Sequence, residues 1–165
     1  MKQGSFGGTL GNRGLLQLHK TAFFASHDAP AGLTVLARGW FERCCGGGGC
    51  VISGFQTPLE RTLLGWLLEA GHPLVLVLAR GLPLALAPGL ERALERGELL
   101  VLTRYAASVT HACRDKCRQR NRHVVALADA VVVAYAAPGG ELARLCAELP
   151  AGKPVSYLCE SPGAP

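Results

Sequence analysis

The chemistry that this chain first suggests is phosphate binding at the start of a helix. The apolar run Cys50–Ser53 has the length of a buried strand, and a glycine turn at Gly54 follows it. Thr57 suits a helix N-cap, Pro58 the first turn, and Glu60 the third position of a capping box. An open helix N-terminus offers unpaired N–H groups and a positive dipole end, which attract phosphate. A helix that is simply well capped has the same signature.

A second candidate is the basic segment between His111 and His123, where five cations face one acid, Asp115. The five are Arg114, Lys116, Arg118, Arg120 and Arg122. A positive patch of this kind suits the phosphates of a nucleotide or of a nucleic-acid backbone. The solvated face of an ordinary helix has a similar composition, so both interpretations stay open here.

The order of apolar and glycine-rich segments predicts the elements that position these residues. Strand patterns cover 20–26, 50–53, 73–78, 98–103, 130–134 and 153–158, and helical patterns cover 33–45, 58–70, 88–96, 110–128 and 141–149. This alternation predicts an α/β, Rossmann-like three-layer fold: a mostly parallel sheet of about six strands with helices on both faces. Ligands of such sheets bind beyond the carboxyl ends of the strands. Three turns should gather there, at Ser26-His27, Ser53-Gly54 and Pro138-Gly139-Gly140.

Composition places the chain in a broad class. With 165 residues, of which 49% are hydrophobic, we expect a flexible leader over 1–15, one domain over 16–160 and a tail over 161–165. No apolar run approaches the roughly 18 residues that span a bilayer, and the start does not resemble a signal peptide. We therefore expect a cytoplasmic protein without a membrane partner. Seven cysteines without a Cys-x-x-Cys pair predict reduced thiols, no metal site and no cofactor.

Three segments, in this order, resemble one known family. They are Phe24-Ala25-Ser26-His27, Val51-Ile52-Ser53-Gly54, and the run from Arg120-Asn121-Arg122 through Leu127-Ala128-Asp129-Ala130 into a valine-rich strand. Together they resemble the Rossmann-like domain of the DNA-processing protein A (DprA/Smf) family, within the SLOG superfamily. The resemblance extends from about Lys20 to Leu158.

The resemblance implies a pocket for a phosphate-bearing ligand, which in the best-known members is single-stranded DNA. With the turn and helix arguments, it gives the candidate ligand-binding residues Ser26, His27, Ser53, Gly54, Thr57, Arg120, Asn121, Arg122, Gly139 and Gly140. The chain departs from the family at His27, where an arginine is usual. It departs again after Gly54, where Phe55-Gln56-Thr57-Pro58-Leu59-Glu60 replaces Met-Ala-Arg-Gly-Ile-Asp. The chain also has no room for the accessory domains of full-length members.

The function favoured by the sequence is a binding module for a nucleotide or for single-stranded nucleic acid. A small nucleotide fits better, because aromatic residues make up only 6% of the chain and base stacking is poorly provided for. The alternative is a nucleoside-monophosphate phosphoribohydrolase of the cytokinin-activating (LOG) type. Pro138-Gly139-Gly140-Glu141 resembles the start of that family's Pro-Gly-Gly-x-Gly-Thr-x-x-Glu motif, with Glu141 as the catalytic candidate. A scaffold that has lost its ligand is the third hypothesis, and a homodimer is possible.

Overall fold

The computed structural model describes residues 7–159, which are built on one seven-stranded sheet. The strands are β1 (Gly8–Gly11), β2 (Lys20–Ala25), β3 (Cys50–Ser53), β4 (Leu74–Leu78), β5 (Leu99–Thr103), β6 (Ala130–Tyr135) and β7 (Val155–Tyr157). Their order across the sheet is β1-β5-β4-β3-β2-β6-β7. All neighbouring pairs are parallel except β1 and β5.

Helices cover both faces of this sheet. They are α1 (Leu33–Cys44), α2 (Pro58–Ala70), α3 (Pro88–Glu95), α4 (Arg114–Leu127) and α5 (Glu141–Ala147), with a 3-10 helix at Arg13–Gln17. One apolar cluster joins α1, α2 and α3 to the first face, and another joins α4, α5 and the 3-10 helix to the second. Alternate residues of the central strands enter the two clusters, as the pleat of a strand requires. The predicted three-layer α/β fold is confirmed.

The structure corrects the prediction at the start of the chain. Residues 1–15 were expected to form a flexible leader, but Gly8–Gly11 is a strand and a 3-10 helix begins at Arg13. Strand β1 joins the sheet through backbone pairing with β5, so it needs no apolar run that the sequence would reveal. Helix α4 begins at Arg114, four residues later than expected. Residues 1–6 and the predicted tail at 161–165 lie outside the described residues.

Both tryptophans belong to the core side of their helices. The ring of Trp40 lies 5.2 Å from that of Phe23, and the ring of Trp66 lies 5.7 Å from that of Phe41.

Between residues 7 and 159, no helix has the length and apolarity needed to cross a bilayer.

An ion pair between buried Lys20 and exposed Asp129 fixes the edge of the sheet where β2 and β6 begin. Lys20 is only 9% exposed, and its Nζ donates hydrogen bonds to Asp129 Oδ2 at 3.0 Å and to the carbonyl oxygens of Leu16 and Leu18. The backbone N–H of Lys20 donates to the same carboxylate oxygen at 2.8 Å. That backbone bond, together with the ammonium, lowers the pKa of Asp129. Asp129 thus joins β2 to the start of β6.

We predict that Asp129→Asn lowers the free energy of unfolding by about 1–2 kcal/mol at pH 7, the range for a hydrogen bond to a charged group that solvent partly screens. The pKa of Asp129 is lower in the folded state, so its contribution is present above the unfolded pKa of about 3.9 and is lost as pH falls below it. Urea unfolding at pH 7 and pH 3 should show the difference between variant and wild type shrinking at the lower pH. An equal difference at both values would contradict this account.

Candidate phosphate-binding site

The point where strand order reverses lies at β2. From β2 the chain proceeds through β3, β4 and β5 in one direction, and it returns to place β6 and β7 on the other side. The carboxyl ends of β3, β2 and β6 are therefore neighbours, and the three turns singled out from the sequence follow these strands. Ligands of open α/β sheets bind at such a point. The site must then be judged by which side chains and N–H groups remain available there.

Ser26, which follows β2, makes hydrogen bonds within the protein. Its Oγ accepts a hydrogen bond from the N–H of Ala137 at 2.8 Å, and its own N–H donates to the carbonyl oxygen of Tyr135 at the same distance. These two bonds join the ends of β2 and β6. His27, the next residue, is exposed. Of this predicted pair, only the histidine side chain faces solvent freely.

The turn after β3 is rigid and locally strained. Ser53 is fully buried, and its Oγ donates to the carbonyl oxygen of Phe23 at 2.9 Å and accepts from the N–H of Phe55 at 3.2 Å. Phe55 has a φ of 47°, in the left-handed region that bulky residues rarely adopt. Burial of its ring in the core below helps to hold this conformation. The serine therefore shapes the turn and does not face a ligand.

Glu60 fills the place that the sequence suggested for a phosphate. Its side chain is buried at 5% exposure and accepts three backbone hydrogen bonds at the start of α2. The donors are the N–H groups of Ala25 at 3.1 Å, Gln56 at 2.9 Å and Thr57 at 3.2 Å. The predicted reach of Glu60 back to Thr57 is present, and its carboxylate occupies the N–H groups of Gln56 and Thr57 just before the helix, which an anion could otherwise bind.

Arg120 lies directly over the same turn. Its side chain is 7% exposed, and it donates from Nη2 to Gln56 Oε1 at 3.0 Å and from Nε to Asn121 Oδ1 at 2.7 Å. A Cβ atom at Gly54 would stand 2.1 Å from Arg120 Nη1, so any side chain at this position must displace the guanidinium. Burial lowers the pKa of Arg120, and the nearby Glu60 carboxylate acts in the opposite direction.

Outside Arg120 the structure forms an open cleft of about 310 Å³, at the carboxyl ends of β3 and β4. We call it the arginine cleft; its polar lining consists of Gln56, Arg61, Arg80, Thr110, His111 and Arg120, and Gly54 forms part of its floor. No carboxylate is among its lining residues. Within residues 7–159, neither Arg61 nor Arg80 has a carboxylate within 4.0 Å. Arg61 and Arg80 therefore bring uncompensated positive charge to the cleft.

The other predicted arginine faces a different groove. A cavity of about 170 Å³ lies between α4 and α5, and Asn121 and Arg122 line it. The Nη2 atom of Arg122 lies 3.1 Å from Glu148 Oε2, so its charge is compensated. Glu141 on the opposite wall accepts from Arg118 Nη2 at 2.6 Å and lies within ion-pair distance of Arg144.

The hydrogen bond from Arg118 holds the pKa of Glu141 below its usual value. Gly139 has a φ of 68°, and the N–H of Gly140 donates to the carbonyl oxygen of Ala137 at 3.0 Å. These glycines therefore shape the turn before α5. Neither one lines the arginine cleft or the groove between α4 and α5.

The structure thus corrects the idea of one pocket shared by Gly54, Gly140 and Arg122. Gly54 and Arg120 belong to the arginine cleft, whereas Asn121 and Arg122 belong to the groove between α4 and α5. Successive residues of an α-helix are about 100° apart around its axis, so side chains two positions apart point to nearly opposite sides. The sequence could not tell which arginine faces the turn without the register of α4 on the sheet.

Sequence reasoning missed Arg61, Arg80 and His111. Arg80 follows the end of β4 by two residues, which is the position where a parallel strand delivers a side chain to the binding edge. Arg61 lies in the first turn of α2, one residue after Glu60. The position of Arg80 was a usable signal in the sequence, but the contribution of Arg61 depends on how α2 is oriented.

The described residues contain no group of three or more His, Cys, Asp or Glu side chains that could hold a metal ion. All seven cysteines are free thiols. Burial raises the pKa of Cys50 to about 11 and also raises that of Cys44 and Cys146.

Comparison with solved structures identifies the architecture. DNA processing protein A (DprA) from Streptococcus pneumoniae matches with a TM-score of 0.71 and 20% sequence identity, over 90% of this chain. DprA from Helicobacter pylori, described in terms of its single-stranded DNA binding mode, matches with the same TM-score and 17% identity, also over 90%. The chain has a DprA-like fold. It spans 53% of the Streptococcus protein and 69% of the Helicobacter one, so the match concerns one part of each.

The DprA-like fold is shared more widely. The Moco carrier protein from Chlamydomonas reinhardtii matches with a TM-score of 0.57 and 17% identity, over 88% of this chain and 78% of its own. No protein-family model and no curated protein sequence matches the chain. At these levels of identity the likeness concerns the fold, and function has to be argued from the site itself.

We predict that Gly54→Ala lowers the free energy of unfolding by about 1–3 kcal/mol, because the new methyl group must displace the buried Arg120 guanidinium. Gly65→Ala is the matched control, since a Cβ at this helical position meets no atom within 4 Å. It should stabilise α2 by about 0.5–1 kcal/mol. Urea unfolding measures both.

The double variant Gly54→Ala/Arg120→Ala separates steric displacement from other causes. With Arg120 already shortened, the added methyl group should cost little further stability, which gives a large coupling energy in the cycle. Additive losses would show that the two residues do not compete for the same space.

Proposed function

We propose that this DprA-like domain is a binding module whose arginine cleft holds the phosphate group of a nucleotide or of single-stranded nucleic acid. The observation that carries the proposal is the contrast between two sets of arginines. Arg61 and Arg80 face the cleft without a carboxylate partner, whereas Arg118, Arg122 and Arg144 are all paired with acids. Guanidinium groups bind phosphate through charge-assisted, often bidentate, hydrogen bonds.

The proposed position of the phosphate differs from that in a typical nucleotide-binding turn. Glu60 already accepts the N–H groups of Ala25, Gln56 and Thr57, so a second anion at the start of α2 would meet repulsion from its carboxylate. Arg120 lines the cleft, whereas Glu60 does not. A phosphate therefore binds farther out, between Arg61, Arg80 and Arg120.

The size and composition of the cleft favour a mononucleotide over a stacked strand. Phe55 is the one aromatic residue among the residues that line it, and its ring is buried at 5% exposure. Tyr105 is also engaged, because its hydroxyl donates to Gln119 Oε1 at 2.8 Å. A strand would consequently be held through its phosphates, without the stacking that supports most single-strand binding. The single-stranded DNA binding described for the Helicobacter DprA supports testing this ligand beside nucleotides.

The hydrolase hypothesis receives less support from the geometry. Its candidate Glu141 is bonded to Arg118 and lies beside Arg144, and its pKa is lowered. A carboxylate with two cationic partners is poorly suited to stabilise a developing ribosyl cation or to donate a proton near pH 7.

The seven free thiols suit the reducing cytoplasm that we propose as the location of the protein.

We predict that Arg80→Ala or Arg61→Ala weakens binding of a fluorescent adenosine nucleotide by about tenfold, the loss expected for one charge-assisted hydrogen bond. With a labelled oligothymidylate as ligand, each variant should also reduce the salt dependence of affinity by about one charge. Fluorescence anisotropy measures the affinity at salt concentrations from about 50 to about 200 mM, where the affinity of phosphate contacts falls steeply with salt.

Arg122→Ala is the matched control, because it removes an arginine from α4 that is already paired with Glu148. It should leave both affinities within about twofold of wild type, as surface ion pairs contribute little. Equal losses in all three variants, or binding that is insensitive to salt, would contradict the cleft as the phosphate site.

A further inference from the structure

Two cysteines lie beside the arginine cleft. Cys113 is exposed and occupies the N-cap of α4, directly after the cleft-lining residue Ala112. Cys117 is half-buried one turn later, and its Sγ lies 3.5 Å from Gln56 Oε1. The same oxygen accepts the hydrogen bond from Arg120 Nη2. One thiol therefore follows the segment that lines the cleft, and the other supports the glutamine that holds Arg120.

The two thiols also act on one ionisable side chain. Burial raises the pKa of Tyr105, and Cys113 and Cys117 each raise it further. Burial raises the pKa values of Cys44, Cys50 and Cys146 and disfavours their reactive thiolates. The pair beside the cleft combines exposure with a second thiol one helical turn away.

We propose that Cys113 and Cys117 form a thiol–disulfide exchange site, which reacts with small disulfides and controls the arginine cleft. The exposed Cys113 thiolate attacks one sulfur of a low-molecular-weight disulfide, breaking its S–S bond and releasing one small thiol. Cys117 then attacks the Cys113 sulfur of the mixed disulfide, forming the Cys113–Cys117 bond and releasing the second small thiol. The two cysteines are oxidised by two electrons and two protons leave them, while the small disulfide is reduced to two thiols.

Local geometry permits this bond at the cost of a shift in the first turn of α4. Side chains four residues apart on a helix have Cβ atoms about 5–6 Å apart, and a disulfide needs about 3.5–4.5 Å. Cys113 has an extended backbone, with φ −134° and ψ 171°, so its side chain is not held at the spacing of a regular helix from Cys117. Disulfides formed under such constraint are readily reduced again, which suits a reversible site.

The bond would change the cleft in two ways. Cys117 loses the hydrogen that it shares with Gln56, and the contact between Gln56 and Arg120 loses its support. Movement of Cys113 also displaces the preceding residues Thr110, His111 and Ala112, which line the cleft. We expect oxidation to weaken nucleotide binding by about fivefold, the equivalent of one neutral hydrogen bond. This effect on affinity rests on the proposed function, whereas formation of the disulfide does not.

The test treats the whole chain with oxidised glutathione and digests it with trypsin without reduction. Trypsin cuts after Arg114 and Lys116, between the two cysteines, so a Cys113–Cys117 disulfide joins two separate peptides and is identified by mass spectrometry. Cys146→Ser should form the same linked peptides, and neither Cys113→Ser nor Cys117→Ser should form them. Absence of linked peptides in the wild type, or their loss in Cys146→Ser, would overturn the exchange site.

Affinity for the fluorescent adenosine nucleotide is then compared before oxidation, after it, and after dithiothreitol. Wild type should lose about fivefold and recover with the reductant, whereas Cys113→Ser should bind equally well in all three states. An oxidised protein with the mapped disulfide and unchanged affinity would overturn control of the cleft. A reduced protein that binds neither the nucleotide nor the labelled oligothymidylate refutes the proposed function, and the peptide map decides the exchange site separately.

Discussion

The carboxylate of Glu60 is the constraint on which the binding edge of this sheet depends. It is buried where β2, β3 and α2 meet, and its hydrogen bonds with Ala25, Gln56 and Thr57 join a strand end to a turn and a helix start. A buried charge of this kind is tolerated only with donors and a counter-charge around it. The backbone N–H groups are the hydrogen-bond donors, and Arg120 nearby is the counter-charge.

Arg120 connects this internal site to the outer surface. It occupies the space where a side chain at position 54 would begin, and its bond to Gln56 orients a side chain that lines the cleft. The protein has thus placed its own anion and cation in the position that phosphate takes in many related folds. The remaining cations, Arg61 and Arg80, line the cleft outside this pair. The proposed phosphate position, away from the helix start, follows from this internal pairing.

Much of the architecture could be predicted from the sequence, because the strands β4 and β6 are apolar throughout and short glycine or proline turns separate the elements. The capping box at Thr57 and Glu60 could be predicted for the same local reason. The strand β1 could not, since its stability comes from backbone pairing with β5. The bond between Glu60 and Ala25 was equally hidden, because it joins residues 35 positions apart.

The assignment of arginines shows why the candidate site was harder to predict than the fold. A run of basic residues shows that a segment is positively charged. Its function depends on which of the cations have acidic partners, and those partners lie on other helices or strands. Arg122 meets Glu148 on the far side of α4, while Arg120, two residues earlier, turns toward Gly54. Arg80 is isolated in the sequence and is free of ion pairs in the described structure. Uncompensated charge in a cleft is therefore a better guide to phosphate binding than local density of arginine, because paired cations have already satisfied their demand for an anion.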